Sequence, residues 1–258
     1  MFTAATWNVL ATCHLDKGDY SRVPPALLDP AARVPAVARH AAALGADLLL
    51  LQEVEQEVYE ALRAALPGFD GRLEFRAGRT EGCALLWRSS LFAPLDGRRF
   101  DHPGGDGRVS AVQVLETEGR RLGVACTHLA WDKPGMPASA QVGYRQAEAL
   151  LAFLGGMEAE AWLVGGDFNR PPEGEVPALF GRHGFASAHA GREAPTFRSR
   201  GAPRQIDFLL ATAALEAEPA WPIPLPDPMP CEGQPSDHLP QASAFRWRSV
   251  LASARAPE

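Results

Sequence analysis

The sequence predicts an α/β fold in which short buried strands alternate with amphipathic helices. Runs such as 47–52 are almost continuously apolar, which is typical of strands covered on both faces. Between such runs, apolar residues recur at helical spacing, as at Val34, Val37 and Ala41. Of the 258 residues, 46% are hydrophobic and 22% are charged, which suffices for a sizeable core. Without an internal repeat or an evident linker, we expect a single domain over residues 1–258.

The predicted strands are short apolar runs that Gly-, Asp- or Pro-containing turns separate. They cover residues 2–9, 47–52, 82–88, 109–116, 121–128, 162–166, 205–211 and 241–247.

Three segments have helical periodicity: 34–44, 54–65 and 140–154. Pro67-Gly68 ends the second of them. Seven prolines lie between Pro219 and Pro235, so we expect a long extended loop there.

Charge and segment composition exclude several classes of protein. The net charge of −6 argues against a broad basic face that coats duplex nucleic acid. No apolar stretch approaches the length of a membrane span, and the amino-terminal residues lack the pattern of a signal peptide. We therefore expect no membrane contact, a cytoplasmic location, reduced thiols in all four widely spaced cysteines, and no obligate protein partner.

Polar side chains able to bind metal or carry protons cluster at the ends of the predicted strands. Each alone is common as a turn or capping residue, but together they indicate a site on the rim of a sheet. They are Asn8, Glu53, His128, Asp167, Asn169, Asp207, Asp237 and His238.

Six motifs containing these residues resemble the endonuclease/exonuclease/phosphatase superfamily, which includes DNase I and exonuclease III. They occur in the order of that superfamily and span nearly the whole chain. They are TWNVL (6–10), LLLLQEVE (48–55), CTHLAW (126–131), GGDFNRPP (165–172), QIDFLL (205–210) and PSDHLP (235–240). The resemblance is strongest to the branch of nocturnin, angel and poly(A)-deadenylase proteins, although segment 13–30 keeps Tyr20 and lacks the usual tryptophan of that branch.

This resemblance implies a four-layer α/β sandwich, with two mixed β-sheets packed face to face and helices outside, and a metal-dependent phosphoesterase. Oxygen ligands of the kind that Glu53 and Asn8 supply suit Mg²⁺ or Mn²⁺. By resemblance, Glu53 is the main metal ligand, with Asn8 and Asp237 beside it.

The resemblance also implies roles in proton transfer and phosphate binding. Asp167 orients or deprotonates the attacking water, and Asn169 holds that water or the phosphate. His238 stabilises the phosphate and pairs with Asp207, so a carboxylate oxygen should lie within hydrogen-bonding distance of the imidazole. His128 donates to a non-bridging oxygen. Which of Asp167, Asp207 and His238 is the general base stays open.

The predicted substrate is a single-stranded RNA end, including a cyclic phosphate, or a nucleotide, because an acidic chain suits a narrow cleft better than a duplex. RNA is favoured over DNA. Arg145 and Arg204 are candidate phosphate contacts. Trp131 and Trp221 are candidate cleft walls, or alternatively pack the proline-rich loop onto the core.

Three alternatives remain. One is a DNA nuclease of the exonuclease III type, and another is a non-catalytic scaffold of the same fold. The third, a zinc site built from Cys13, His14, Cys126 and His128, lacks any standard ligand spacing.

Overall fold

Two mixed β-sheets of six strands each form the centre of the computed structural model, which describes residues 1–192, 194–198, 201–220 and 223–249. The first sheet contains β1 (Phe2–Asn8), β2 (Leu48–Glu55), β3 (Phe69–Phe75), β4 (Glu81–Arg88), β11 (Leu215–Pro219) and β12 (Gln241–Trp247), in the order β11-β12-β1-β2-β4-β3. The second contains β5 (Ala93–Asp101), β6 (Val109–Thr117), β7 (Arg120–His128), β8 (Ala161–Asp167), β9 (Phe185–Ser187) and β10 (Asp207–Thr212), in the order β5-β6-β7-β8-β10-β9.

The described helices are α1 (Pro30–Ala43), α2 (Gln56–Ala65), α3 (Val142–Gly155) and α4 (Glu175–Arg182). Single 3₁₀ turns cover Thr12–His14, Pro25–Leu27 and Ala138–Ala140.

The apolar runs of the central strands are covered on both faces, which produces four layers. On β2, Leu48 and Leu50 pack into the core between the sheets, while Leu49 and Leu51 pack against the layer that contains α1 and α2. Helices α3 and α4 cover the outer face of the second sheet. The predicted α/β sandwich is therefore confirmed.

Each sheet has one central parallel pair, and both pairs end at the same rim. Strands β1 and β2 are parallel with Asn8 opposite Gln52, and β7 and β8 are parallel with His128 opposite Asp167. Strand β10 runs antiparallel to β8, which brings Asp207 opposite Asp167. Because the carboxyl ends of parallel strands meet at one edge, the motif residues of distant segments converge there.

The elements that the sequence analysis missed lie at the edges. Strands β3 and β5 are edge strands with mostly half-buried or exposed residues, so they carry no apolar alternation. Strand β9 has only three residues, β11 has five and ends at Pro219, the first proline of the proline-rich loop, and α4 contains Pro177 and Gly181. Residues 69–75 and 93–101, where the sequence predicted no strand, are thus strands.

Two predicted boundaries near the site were also wrong. Helix α2 begins at Gln56 rather than residue 54, because Val54 and Glu55 still pair with β4. Asp207 is the first residue of β10 rather than an interior one. The described part of the proline-rich loop, 223–235, contains no helix or strand, whereas Trp221 lies outside the described residues. No described helix is long and apolar enough to cross a membrane.

The close approach of β7 and β8 requires Gly166. A Cβ atom at this position would lie 1.9 Å from the carbonyl oxygen of Thr127.

We expect Gly166→Ala to lower the free energy of unfolding by about 2 kcal/mol or more, because neither backbone can move without disturbing the parallel pair. Urea unfolding measures this. Gly181→Ala on α4, where an added Cβ meets nothing within 4 Å, is the control and should be neutral or mildly stabilising. Equal midpoints for the two variants would contradict this account.

Candidate active site

A cleft of about 250 Å³ opens at the rim where the two parallel pairs end. Seven of the residues predicted from the sequence line it: Glu53, His128, Trp131, Asp167, Asn169, Asp237 and His238. Asn8 and Asp207 are buried directly behind these side chains and hydrogen-bond to them. Arg145 and Arg204 are not part of its wall.

Glu53 occupies an irregular position in β2. The pairing of β2 with β4 shifts register between Leu51 and Val54, and Glu53 in this bulge has a φ of 59°. A left-handed backbone is unfavourable for a residue with a Cβ, and such strain concentrates at functional sites. The bulge turns the Glu53 carboxylate towards the cleft instead of the sheet.

Three donors hold the Glu53 carboxylate. Oε2 accepts from the backbone N–H of Ala11 and lies 2.9 Å from His14 Nδ1, while Oε1 accepts from Asn8 Nδ2 at 3.1 Å. Burial raises the pKa of Glu53, but the hydrogen bond and charge of His14, with a smaller contribution from His128, outweigh burial and bring the pKa well below its ordinary value. Glu53 is therefore an anion at neutral pH.

Asn8 joins the two sheets at the cleft. Its Nδ2 donates to Glu53 at the end of the first sheet and to Asp167 Oδ2 at the end of the second, each at 3.1 Å. Its Oδ1 already accepts from the N–H of Leu10, and the side chain is 1% exposed. Asn8 thus orients the two carboxylates from behind rather than opening into the cleft.

The Asp207–His238 contact that the sequence analysis expected is present. His238 Nδ1 lies 2.9 Å from Asp207 Oδ2, which also accepts from the Thr196 hydroxyl at 2.6 Å. His238 Nε2 faces Asp167 Oδ2 at 3.9 Å. Burial lowers the pKa of His238, but the charge and hydrogen bond of Asp207, with the charges of Asp237 and Asp167, raise it to about 10. His238 is consequently cationic at neutral pH.

Ligand atoms of Asp167, Asp207 and His238 lie within 4.8 Å of one another, which is compatible with a metal ion. Because the Nδ1 atom of His238 is engaged by Asp207, we interpret the three residues as a hydrogen-bonded proton relay.

Asp167 is the carboxylate suited to proton transfer. Burial and repulsion from Asp207 raise its pKa to about 7, although His238, the N–H of Asn169 and Asn8 act in the opposite direction. A group with this pKa is present in both protonation states near neutral pH.

His128 and Asn169 lie beside Asp167. Asn169 has a φ of 52°, its N–H donates to Asp167 Oδ1 at 2.9 Å, and its Nδ2 lies 3.3 Å from His128 Nε2. Burial, followed by the charge of Arg108, brings the pKa of His128 well below its ordinary value, so its imidazole is neutral.

Asp237 presents an open acceptor to the cleft. The Tyr20 hydroxyl donates to its Oδ2 at 2.7 Å, whereas Oδ1 is buried and has no hydrogen-bond partner. A buried carboxylate oxygen without a partner is costly, and a cation would satisfy it. The carboxylates of Asp237 and Glu53, both lining one cleft, therefore fit a divalent cation with oxygen preference.

Trp131 separates the cleft from a second, larger cavity of about 770 Å³ and lines both. Its side chain is 55% exposed, so it does not pack into the core. The following residue, Asp132, accepts from the N–H groups of Val142 and Gly143 and is bound by Arg170, which fixes the loop.

The two predicted arginines differ in position. Arg204 lines the larger cavity with its guanidinium 4.9 Å from the ring centre of Phe197, and Phe197 in turn lies 4.5 Å from the imidazole of His238. Arg145 is exposed on α3 and donates to the carbonyl of Ser139, outside both cavities.

Several residues of the cleft were not assigned to it from the sequence, and those with polar side chains are His14, Lys17, Tyr20, Arg76 and Arg108. Arg76 pairs with Glu81 at 2.9 Å, and Arg108 donates to the carbonyl of His128. No motif marks these arginines, because they lie on the loops that follow the edge strands β3 and β5. Tyr20 had been noted only as a residue shared with one branch of the superfamily.

The zinc alternative is not realised among the described residues. Cys126 is fully buried between the sheets, where its Sγ contacts the carbonyl of Leu51 and the amide of Gln52. The four cysteines are free thiols.

Comparison with known proteins places this arrangement in a family of phosphoesterases. The model of the Endonuclease/Exonuclease/phosphatase family matches residues 5–238. The chain belongs to this family, whose members are generally dependent on divalent metal ions.

Solved structures with the same fold include the following proteins. ANGEL2, a 2′,3′-cyclic phosphatase, in complex with adenosine-2′,3′-vanadate, aligns over 95% of each chain with a TM-score of 0.80 and 19% identity. The catalytic domain of human Nocturnin with bound sulfate aligns over 96% of this chain and 93% of its own, with a TM-score of 0.75 and 22% identity. The mannosyl-6-phosphatase Bt3783 of Bacteroides thetaiotaomicron aligns over 96% and 100%, with a TM-score of 0.69 and 17% identity. No curated protein matches the sequence significantly.

The Asp207–His238 contact predicts how substitutions of the two residues combine in their effect on kcat. If the two side chains act as one unit, Asp207→Ala and His238→Ala should each lower kcat by about 10²-fold or more, and the double variant should be scarcely slower than either single variant. The control combines Asp207→Ala with His183→Ala, at an exposed histidine after α4. In this pair the effects on kcat should be independent of each other. Circular dichroism checks that the variants fold. If the loss of kcat in the Asp207 and His238 double variant equals the product of the two single losses, the two side chains do not act as a unit.

Proposed function

We propose that the protein is a divalent-metal-dependent phosphoesterase that hydrolyses a single-stranded RNA end, including a 2′,3′-cyclic phosphate, or a nucleotide. The observation that carries this proposal is the geometry of one cleft. The cleft is lined by the carboxylates of Glu53 and Asp237, by Asp167 and by His238, which pairs with Asp207. His238 Nε2 lies 3.9 Å from Asp167 Oδ2 and 4.0 Å from Asp237 Oδ1. Metal-dependent hydrolysis of a phosphate ester uses both a cation site and groups that transfer protons.

Glu53 and Asp237 would hold the cation, with Asn8 orienting Glu53 from behind. Mg²⁺ and Mn²⁺ suit these ligands because both accept carboxylate oxygens and keep several waters. The bound cation would neutralise charge on the phosphate oxygens.

Asp167 is the candidate general base. Its pKa of about 7 allows it to accept a proton from water near neutral pH, and the N–H of Asn169 fixes its other oxygen. Asp207 is fully buried behind His238 and serves to keep the imidazole cationic. His238 and His128 then lie where N–H donors can stabilise phosphate oxygens, one as a cation and the other as a neutral donor.

The larger cavity suggests the kind of substrate. It adjoins the cleft through Trp131, Asn169 and Ile206, which line both. An exposed indole beside a phosphate site can stack on a nucleobase, and Arg204 offers a cation on the far wall. The fold shared with ANGEL2, described as a 2′,3′-cyclic phosphatase, and with Nocturnin supports a substrate of this class.

Removal of the metal or of its main ligand should abolish activity. We expect excess EDTA to stop hydrolysis and Mg²⁺ or Mn²⁺ to restore it, and Glu53→Gln to lower kcat by about 10³-fold or more, because the neutral amide binds a divalent cation poorly. Glu57→Gln, an exposed change four residues along, is the control and should be active. Full activity in EDTA, or in Glu53→Gln, would refute the metal-dependent mechanism.

The substrate preference is tested with a panel in one buffer: poly(A), RNA ending in a 2′,3′-cyclic phosphate, NADP, plasmid DNA and duplex DNA with an abasic site. We expect the RNA ends or the nucleotide to be hydrolysed fastest. Trp131→Ala should raise KM for these substrates by about tenfold, whereas Trp131→Phe should keep most of the stacking. Cleavage of duplex DNA at least as fast as RNA would favour the exonuclease III type of activity instead.

A further inference from the structure

His14 occupies a fixed position next to the predicted metal ligand. It ends the 3₁₀ turn Thr12–His14, and this turn is held by two carboxylates of β2. Glu53 accepts from the N–H of Ala11 at 2.9 Å, and Glu55 accepts from the N–H of Thr12 at 2.8 Å. The strand that supplies Glu53 therefore also places His14.

The imidazole lines the cleft and is only 11% exposed. Its Nδ1 lies 2.9 Å from Glu53 Oε2. Neighbouring ligands of an octahedral cation with bonds of about 2.1 Å are separated by about 3.0 Å. Nδ1 and the Glu53 carboxylate are thus spaced as two adjacent ligands of one ion.

The second nitrogen of His14 faces a carboxylate. Nε2 lies 3.9 Å from Oε1 of Glu81, whose side chain is 1% exposed and is held by Arg76. Histidines that ligate metals commonly direct the other N–H towards a carboxylate, which fixes the ring and its tautomer. Glu81 can be this carboxylate for the N–H of Nε2 when Nδ1 binds a cation through its lone pair.

We propose that His14 is a nitrogen ligand of the divalent cation held by Glu53, so that the site binds Mn²⁺ in preference to Mg²⁺. The inference rests on the proposed function, because it concerns the cation of that reaction. The buried Oδ1 of Asp237, which has no hydrogen-bond partner and lines the same cleft, is an independent sign of a cation there. Mg²⁺ strongly prefers oxygen, whereas transition-metal ions accept imidazole.

Electron paramagnetic resonance with Mn²⁺ as the probe tests the proposal without measuring activity. Electron spin-echo modulation of Mn²⁺ bound to the unaltered protein should show coupling to the ¹⁴N of an imidazole. His14→Gln and His14→Leu should abolish this coupling and lower the ratio of Mn²⁺ to Mg²⁺ affinity by roughly tenfold. His183→Gln, at an exposed histidine, should retain both properties.

Two other histidines line the cleft, so the variants decide the assignment. Coupling that persists in both His14 variants would assign the nitrogen to His128 or His238 and overturn the proposal. Mn²⁺ that binds in a Glu53-dependent manner without nitrogen coupling would overturn it too, while leaving the proposed metal-dependent function intact. Mn²⁺ binding that Glu53→Gln does not weaken would instead contradict both.

Discussion

Asn8 is the side chain on which the geometry of the cleft depends, because it is shared between the two sheets. Its amide nitrogen donates to the carboxylate that ends the regular part of β2 and to the carboxylate that ends β8. Without this bridge, Glu53 and Asp167 would each lose a hydrogen-bond donor in a buried position at the junction of the sheets. The fold fixes the end of β1 that carries Asn8, since β1 pairs with β12 over residues 2–6 and with β2 over residues 4–8.

The cleft separates its charges by giving each buried group a different set of neighbours. Glu53 is stabilised as an anion by His14 and by a backbone N–H, whereas Asp167 lies near Asp207 and becomes difficult to ionise. The Asp207 carboxylate raises the pKa of His238 against the effect of burial, so that its imidazole holds a second proton, whereas burial, followed by the charge of Arg108, lowers the pKa of His128 and keeps its imidazole neutral. Identical side-chain types thus acquire opposite protonation states within one small volume, which is the requirement for moving protons during hydrolysis.

Much of this arrangement could be predicted from residues, because the central strands are buried on both faces and their apolar runs are unmistakable. The polar residues that end those runs converge for a topological reason, namely that both parallel pairs terminate at one rim. Edge strands such as β3 and β5 could not be found, since a strand that is half solvated carries no strong pattern. Arg76 and Arg108 could not be predicted for the same reason, because they lie on the loops of those strands. The position of His14 in the cleft could not be predicted either, because it depends on the contact between the turn after β1 and Glu53.

Leu10, Glu53 and Asn169 have left-handed backbones, and all three lie at the rim of the cleft. Each such conformation costs of order 1 kcal/mol for a residue with a Cβ, and glycine would avoid this cost. Glycine would also remove the buried side chain of Leu10 and the hydrogen bonds of Glu53 and Asn169. The backbone strain at Glu53 and Asn169 is therefore tied to the side chains that form the site, and substitutions that relieve it by glycine would erase the site. Stabilised versions of this protein should therefore be sought with these three positions held constant.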